Sequence, residues 1–310
     1  MTEPAGQREM DNLRRLLALA VAEDLGDGDV SGELLPADLQ AEATFAARHE
    51  LVFCGGVFLA KIAAAYDERI VTDVAVTDGS TAAAGVELAR WRGAARGILA
   101  AERVALNFLQ HLSGIATTTR RFVDAARAGA AAGGVATPEI LDTRKTTPGW
   151  RDLEKYAVRC GGGRNHRRGL YDAVLVKDNH LGVLARSGSG DALAGLAERL
   201  DQARRRLGPG GFVEVEVDTL EQLAGALALP LDAVLLDNMS CEQMRRAVSV
   251  RDAAGLAGRV KLEASGGITL ATVGAAAATS VDRISVGALT HSAAAADIGL
   301  DVELGQATCQ

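Results

Sequence analysis

Apolar residues recur at helical spacing near the start of the chain, at Leu13, Leu16, Leu17, Ala20 and Val21, and Gly26 closes the run. This pattern predicts a helix over residues 12–25, followed by an acidic turn over 24–29. Shorter runs rich in Val, Ile and Ala predict strands at 43–48, 70–77 and 86–92, with a helix at 57–66 between the first two. A strong helix over 99–112 then carries Glu102, Arg103 and Asn107. Strands and helices mix here without regular alternation, which describes a small α+β domain. From Glu139 the pattern changes. Apolar runs at 139–143, 173–178, 213–217, 233–238, 261–265 and 283–288 are each followed by a helical stretch or a loop. Such runs suit parallel strands buried on both faces.

Polar residues decide between a flat sheet and a barrel. Arg144, Lys145, Lys177, Glu216, Asp237, Ser265 and Gly287 each fall at or just past the C-terminal end of a different predicted strand. Strand ends converge on one mouth in an α/β barrel, whereas an open sheet brings only two or three together at a switch point. About 150 residues is short for eight strands, so an incomplete barrel of six or seven strands is expected. The expected division is an N-terminal domain over 1–116, a barrel over 117–288 and a C-terminal segment, 289–310, that packs back on the first domain.

Charge sharpens the picture. The chain has 310 residues and a net charge of −7, yet residues 144–168 hold eight Lys or Arg against two acids. These cations stand among Gly triplets, Thr pairs and His166, where a solvated helix face would interleave them with acids. Arg144, Lys145, His166 and Arg167 therefore predict a pocket for a small anion, while Arg151 and Lys155 are expected on the solvated face of a helix over 151–159. An acidic chain with one basic pocket does not suit a nucleic-acid surface. No apolar run is long enough to span a membrane, and Met1 to Asp11 lacks the apolar core of a secretory signal, so a cytoplasmic location is expected. Cys54, Cys160, Cys241 and Cys309 lack ligand spacing and are expected as free thiols.

Glu216 and Asp237 are hard oxygen donors of the kind Mg²⁺ accepts beside phosphates and water, or they pair with Lys145 or Lys177. Ser265-Gly266-Gly267, with Val286-Gly287 after the next strand, has the make-up of a phosphate cradle. No Ser-His-Asp set and no dinucleotide fingerprint is present. The inventory fits transfer of a phosphorylated sugar to a small anionic acceptor.

Several long motifs carry a family resemblance: Glu102-Arg103-Val104-Ala105-Leu106-Asn107-Phe108, Asp142-Thr143-Arg144-Lys145-Thr146-Thr147-Pro148-Gly149, Gly161-Gly162-Gly163-Arg164-Asn165-His166-Arg167, Lys177-Asp178-Asn179-His180, Leu262-Glu263-Ala264-Ser265-Gly266-Gly267-Ile268 and Ile284-Ser285-Val286-Gly287-Ala288. Together they resemble quinolinate phosphoribosyltransferase over nearly the whole chain. Arg164 stands where that family often has Lys, and Val30-Ser31 replaces its usual Val-Thr.

The resemblance implies an N-terminal α/β sandwich plus an open barrel of the type II phosphoribosyltransferase kind, at least a homodimer. It also implies quinolinate, phosphoribosyl pyrophosphate and Mg²⁺ as reactants and cofactor. By motif, Arg144, His166, Arg167 and Lys177 would hold quinolinate, with Arg103 reaching into a neighbouring subunit's site. Lys145 would serve the pyrophosphate or the reacting centre. Glu216 and Asp237 would take the ribose hydroxyls and Mg²⁺, directly or through water. Ser265, Gly266, Gly267, Val286 and Gly287 would take the 5'-phosphate. Catalytic weight would rest on Lys145, Lys177, Glu216 and Asp237. Three competing readings are a molybdenum-transport-associated paralogue of the same fold, a non-catalytic metabolite sensor, and a Schiff-base aldolase using Lys177; the last requires a desolvated lysine.

Overall fold

The computed structural model describes residues 4–177 and 196–304. These form two compact units, one of residues 4–120, 146–162 and 289–304, the other of 121–145, 163–177 and 196–288. Residues 146–162, read from sequence as part of the barrel domain, thus cluster with the first unit.

In the first unit, helix α1 (Gln7–Asp24) precedes strand β1 (Gln40–Ala47), and β2 (Leu51–Val52) leads into helix α2 (Gly56–Ala64). Strands β3 (Val71–Val74), β4 (Thr81–Ala82) and β5 (Glu87–Ala94) follow. A four-stranded antiparallel sheet runs β12-β1-β5-β3, where β12 is Ile298–Leu304 near the end of the chain. Period-2 alternation turns Ala41, Ala43 and Phe45 of β1 inward, and Phe45 meets Trp91 of β5 edge to face at 4.8 Å.

Helix α3 (Ala95–Gly133) is far longer than the predicted 99–112. The Ser-Gly and Thr residues that make its middle look like a helix end are used for packing. Ser113 Oγ accepts from Cys54 N and Thr117 Oγ1 from Val52 N, at 3.0 and 2.9 Å. A Cβ on Gly114 would lie 2.1 Å from the carbonyl oxygen of Ala294, so only glycine admits that loop.

Helix α4 (Arg151–Cys160) overturns the expected solvated face, because Lys155 is 0% exposed and Leu153, Glu154, Tyr156, Ala157 and Val158 are buried with it. The helix packs against α1, with Arg159 bound to Glu9 at 3.0 Å and Glu154 to His111 at 2.9 Å. Partners along the helix, not solvent, balance its charges; Arg151 is half-buried and bonds Thr146.

In the second unit, six parallel strands take the order β6-β11-β10-β9-β8-β7. They are β6 (Glu139–Leu141), β7 (Val174–Val176), β8 (Val213–Val217), β9 (Ala233–Asp237), β10 (Lys261–Ser265) and β11 (Arg283–Ser285). Helices α5 (Leu196–Arg204), α6 (Leu220–Ala226), α7 (Cys241–Ala253), α8 (Val273–Ala277) and α9 (Ala288–His291) follow strands or lie between them. Sequence order is kept from β7 to β11, β6 then pairs with β11, and among the described residues β6 and β7 are the two unpaired edges. This is an α/β barrel of six strands that stays open between its first and second. Predicted strands 213–217 and 261–265 coincide with β8 and β10. Asp178 to His180 and Cys309 lie outside the described residues.

Candidate active site

The strand ends enclose a cavity of about 460 Å³. Its lining carries the cations Arg144, Lys145, Arg167 and Lys177, with His166, and the acids Glu216, Asp237 and Glu263. Ser265, Gly266 and Gly267 form one edge. Most of the sequence-predicted site is therefore brought together within one unit. Three predicted residues are not on this lining: Val286 has its side chain buried, Gly287 sits half-buried just after it, and Arg103 is exposed on α3.

The loop before β7 is anchored by Asp142, which is fully buried just past β6. Its two carboxylate oxygens accept from His166 N at 2.8 Å and Asn165 Nδ2 at 2.6 Å. Backbone bonds between Arg164 and β6 extend the strand pairing into the loop. This lays Arg167 along the cavity wall, only 8% exposed. Burial first, and then the nearby Arg144 guanidinium, lower its pKa. Two such cations held together in a poorly hydrated wall are stabilised by an anion between them.

Both ring nitrogens of His166 are engaged by the protein itself. Its Nδ1 accepts from Arg167 N at 2.8 Å, which places the proton of the neutral ring on Nε2. Nε2 then donates to Glu214 Oε2 at 2.9 Å. His166 is thus tied to the buried acids Glu214 and Glu263, and the guanidinium and ammonium groups line the cavity beside it.

Lys177 Nζ bonds Glu216 Oε2 at 2.6 Å and its side chain is 45% exposed. A salt-bridged, hydrated ammonium is not the desolvated amine a Schiff-base aldolase requires. Asp237 accepts from Asn238 Nδ2 at 2.7 Å. Asn238 and both glycines of the turn have positive φ, at 52°, 86° and 61°. A Cβ on Gly266 would lie 2.3 Å from Asn238 Oδ1, so glycine is required there on two counts.

Beneath the mouth lies a layer the sequence reading left without a role. Glu214 and Glu263 are both fully buried. Burial raises the carboxyl of Glu214 to about 7 against the pull of Arg283 and Arg167. Burial and the neighbouring Glu214 raise that of Glu263 to about 8. A signal was present: Glu214 stands two residues before Glu216 and Glu263 two before Ser265, on the same face of their strands.

Comparisons with known proteins agree with this geometry. Residues 29–113 match the family described as quinolinate phosphoribosyl transferase, N-terminal domain, and residues 115–301 match its C-terminal domain. A probable nicotinate-nucleotide pyrophosphorylase [carboxylating] of Bacillus subtilis is 38% identical over 295 residues, covering 94% of each chain. The nicotinate-nucleotide pyrophosphorylase [carboxylating] of Mycobacterium leprae is 48% identical over 227 residues, 73% of each chain. The solved nicotinate-nucleotide pyrophosphorylase of Francisella tularensis superposes with a TM-score of 0.81 at 39% identity, covering 94% of this chain and 96% of that one. NadC from Streptococcus pyogenes gives 0.84 at 33% identity, over 99% and 100%. With both domain models matched in order over a continuous α/β architecture, the chain belongs to the quinolinate phosphoribosyltransferase family.

Proposed function

We propose that the protein transfers phosphoribosyl from phosphoribosyl pyrophosphate to quinolinate with loss of CO₂, releasing nicotinate mononucleotide and pyrophosphate. The observation that carries this reading is one cavity lined by the neighbouring Arg144 and Arg167 guanidiniums together with the carboxylates of Glu216 and Asp237. The cations suit a dicarboxylate; the acids suit ribose hydroxyls.

Quinolinate binds through Arg144, Arg167 and Lys177, while Ser265 and the backbone of Gly266 and Gly267 receive the 5'-phosphate. The pyridine nitrogen attacks the anomeric carbon as its bond to pyrophosphate breaks, through a ribose with cationic character. Glu216 and Asp237 stabilise that charge and orient the sugar, and Lys145 meets the departing pyrophosphate. Glu216 and Asp237, at the ends of adjacent strands, would hold a Mg²⁺ ion. When bound, it neutralises leaving-group charge. Alkylation leaves the ring cationic, so breaking the C2–carboxylate bond gives a carbanion next to a positive nitrogen.

Arg103, exposed on α3, completes the site of a second copy of the chain. Mixed dimers of Arg103→Ala and Lys145→Ala chains then regain part of the activity each lacks. Absence of rescue in proven mixed dimers removes the shared site. The reaction itself is tested with quinolinate, phosphoribosyl pyrophosphate and Mg²⁺, following nicotinate mononucleotide and CO₂. Nicotinate serves as the control acceptor. Product from quinolinate alone supports the reading; product from neither rejects it.

A further inference from the structure

Decarboxylation leaves an electron pair on ring carbon C2, and the product carries a hydrogen there, so something in the cavity must deliver a proton. We infer that Glu263 is that donor, a buried carboxylic acid facing the substrate cavity from β10. This rests on the activity proposed above and deepens it.

Glu263 is 0% exposed, lines the cavity, and neither of its carboxyl oxygens has a hydrogen-bond partner among the described residues. A buried, unpartnered carboxylate is costly, whereas the neutral acid is tolerated and keeps a proton to give. Its surroundings favour the neutral form. Burial and the facing acid Glu214 of β8 weigh against the charged form. His166, whose Nε2 lies 3.5 Å away, and Ser285 and Arg283 of β11 pull the other way, and they oppose the effect of burial only in part.

His166, Glu214 and Glu263 also have the composition of a metal site, with their ligand atoms within 4.8 Å of one another. The histidine rules that out. With Nδ1 already accepting the Arg167 N–H, Nε2 carries the ring proton and has no lone pair for a cation. The cluster is built to hold protons.

The cavity's other candidates serve less well. Lys177 is held by Glu216 at 2.6 Å at the mouth, and Lys145 is exposed. An ammonium is also a weaker acid than a carboxyl group titrating near neutrality. The step balances without a further reactant. The C2–carboxylate bond breaks, CO₂ leaves, and its electron pair takes the Glu263 proton to form C2–H. Water restores that proton once product has left.

The test follows pyrophosphate and CO₂ separately in the full-length protein with quinolinate, phosphoribosyl pyrophosphate and Mg²⁺. Glu263→Gln keeps shape and neutrality but has no acidic proton. Its CO₂ release is expected to fall about 10²-fold or more, with KM for quinolinate within about threefold, the undecarboxylated nucleotide detectable and Glu263→Asp partly active. In the unaltered protein, kcat/KM for CO₂ release is expected to decline as pH rises through about 8, and this decline should vanish from the residual activity of Glu263→Gln. Equal CO₂ release by the Gln variant, or a flat alkaline profile in the unaltered protein, overturns the assignment while leaving the transferase reading intact. No product from the unaltered protein withdraws both. The alkaline profile needs no variant, so misfolding of a substituted chain does not shield the idea.

Discussion

On the antiparallel sheet, Arg90 bonds Glu42 and Glu87, and Arg92 reaches Asp73 and Glu42. On the parallel sheet, Glu214 and Glu263 turn inward, fully buried, and Asp237 and Ser265 end their strands at a cavity. The first arrangement matches each charge with a neighbour in water, where the pairing contributes little. The second places charge where water is scarce, so incomplete matching carries a large cost. Stability alone would not select the second arrangement. Charges left under-matched in a barrel mouth identify the part of the fold given over to chemistry.

The sharpest way to break this contrast is to remove a cation from the cavity wall. Arg144→Ala or Arg167→Ala is expected to weaken quinolinate binding by about 2–5 kcal/mol, the cost of leaving a buried charge unpaired. Titration calorimetry showing unchanged affinity would take that residue out of the site.

The buried layer gives a stability test. A free glutamate ionises near 4.5, but Glu263 in the folded protein does so at about 8. Between these values the folded state holds the extra proton, so stability falls as pH rises through the window and levels off above it. Across pH 5 to 8 the loss is expected to be on the order of a few kcal/mol, and Glu263→Gln should reduce it, the remainder belonging to Glu214. Thermal unfolding over a pH series checks the sign.

Gly266→Ala should cost about 1–3 kcal/mol, the price of forcing an L-residue into a left-handed turn against Asn238, and should raise KM for phosphoribosyl pyrophosphate. The smallest effect belongs to the other sheet. Arg92→Ala is expected to change stability by less than about 1 kcal/mol, with no effect on turnover. A large effect there would erase the distinction between the sheets.

Strand positions were readable where a short segment met a clear stop. Residues 213–217 and 261–265 coincide with β8 and β10, which end at Asp218 and at the Gly266 turn. Cations and acids could be assigned to one mouth because parallel strand ends converge. The sequence was silent where tertiary contacts set the outcome. Ser113, Gly114 and Thr117 read as a helix end because their packing partners, Cys54, Ala294 and Val52, are distant in the chain. Lys155 read as solvated because burial of a whole helix leaves no local mark. His166 read as part of an anion pocket, and its ties to the Arg167 N–H and to Glu214 appear only in the folded chain.

The antiparallel sheet also has a temporal consequence. Its β1 strand, from residue 40, is paired along its length with β12, Ala41 opposite Leu304 and Ala47 opposite Ile298. During synthesis β1 emerges early, but its partner emerges only after all six barrel strands have been made. One edge of β1 therefore stays unpaired for most of translation, a period in which exposed strand edges invite association with other chains. Completion of the first sheet thus waits until the barrel strands have been made, so the antiparallel sheet closes later than the order of its own first strand suggests.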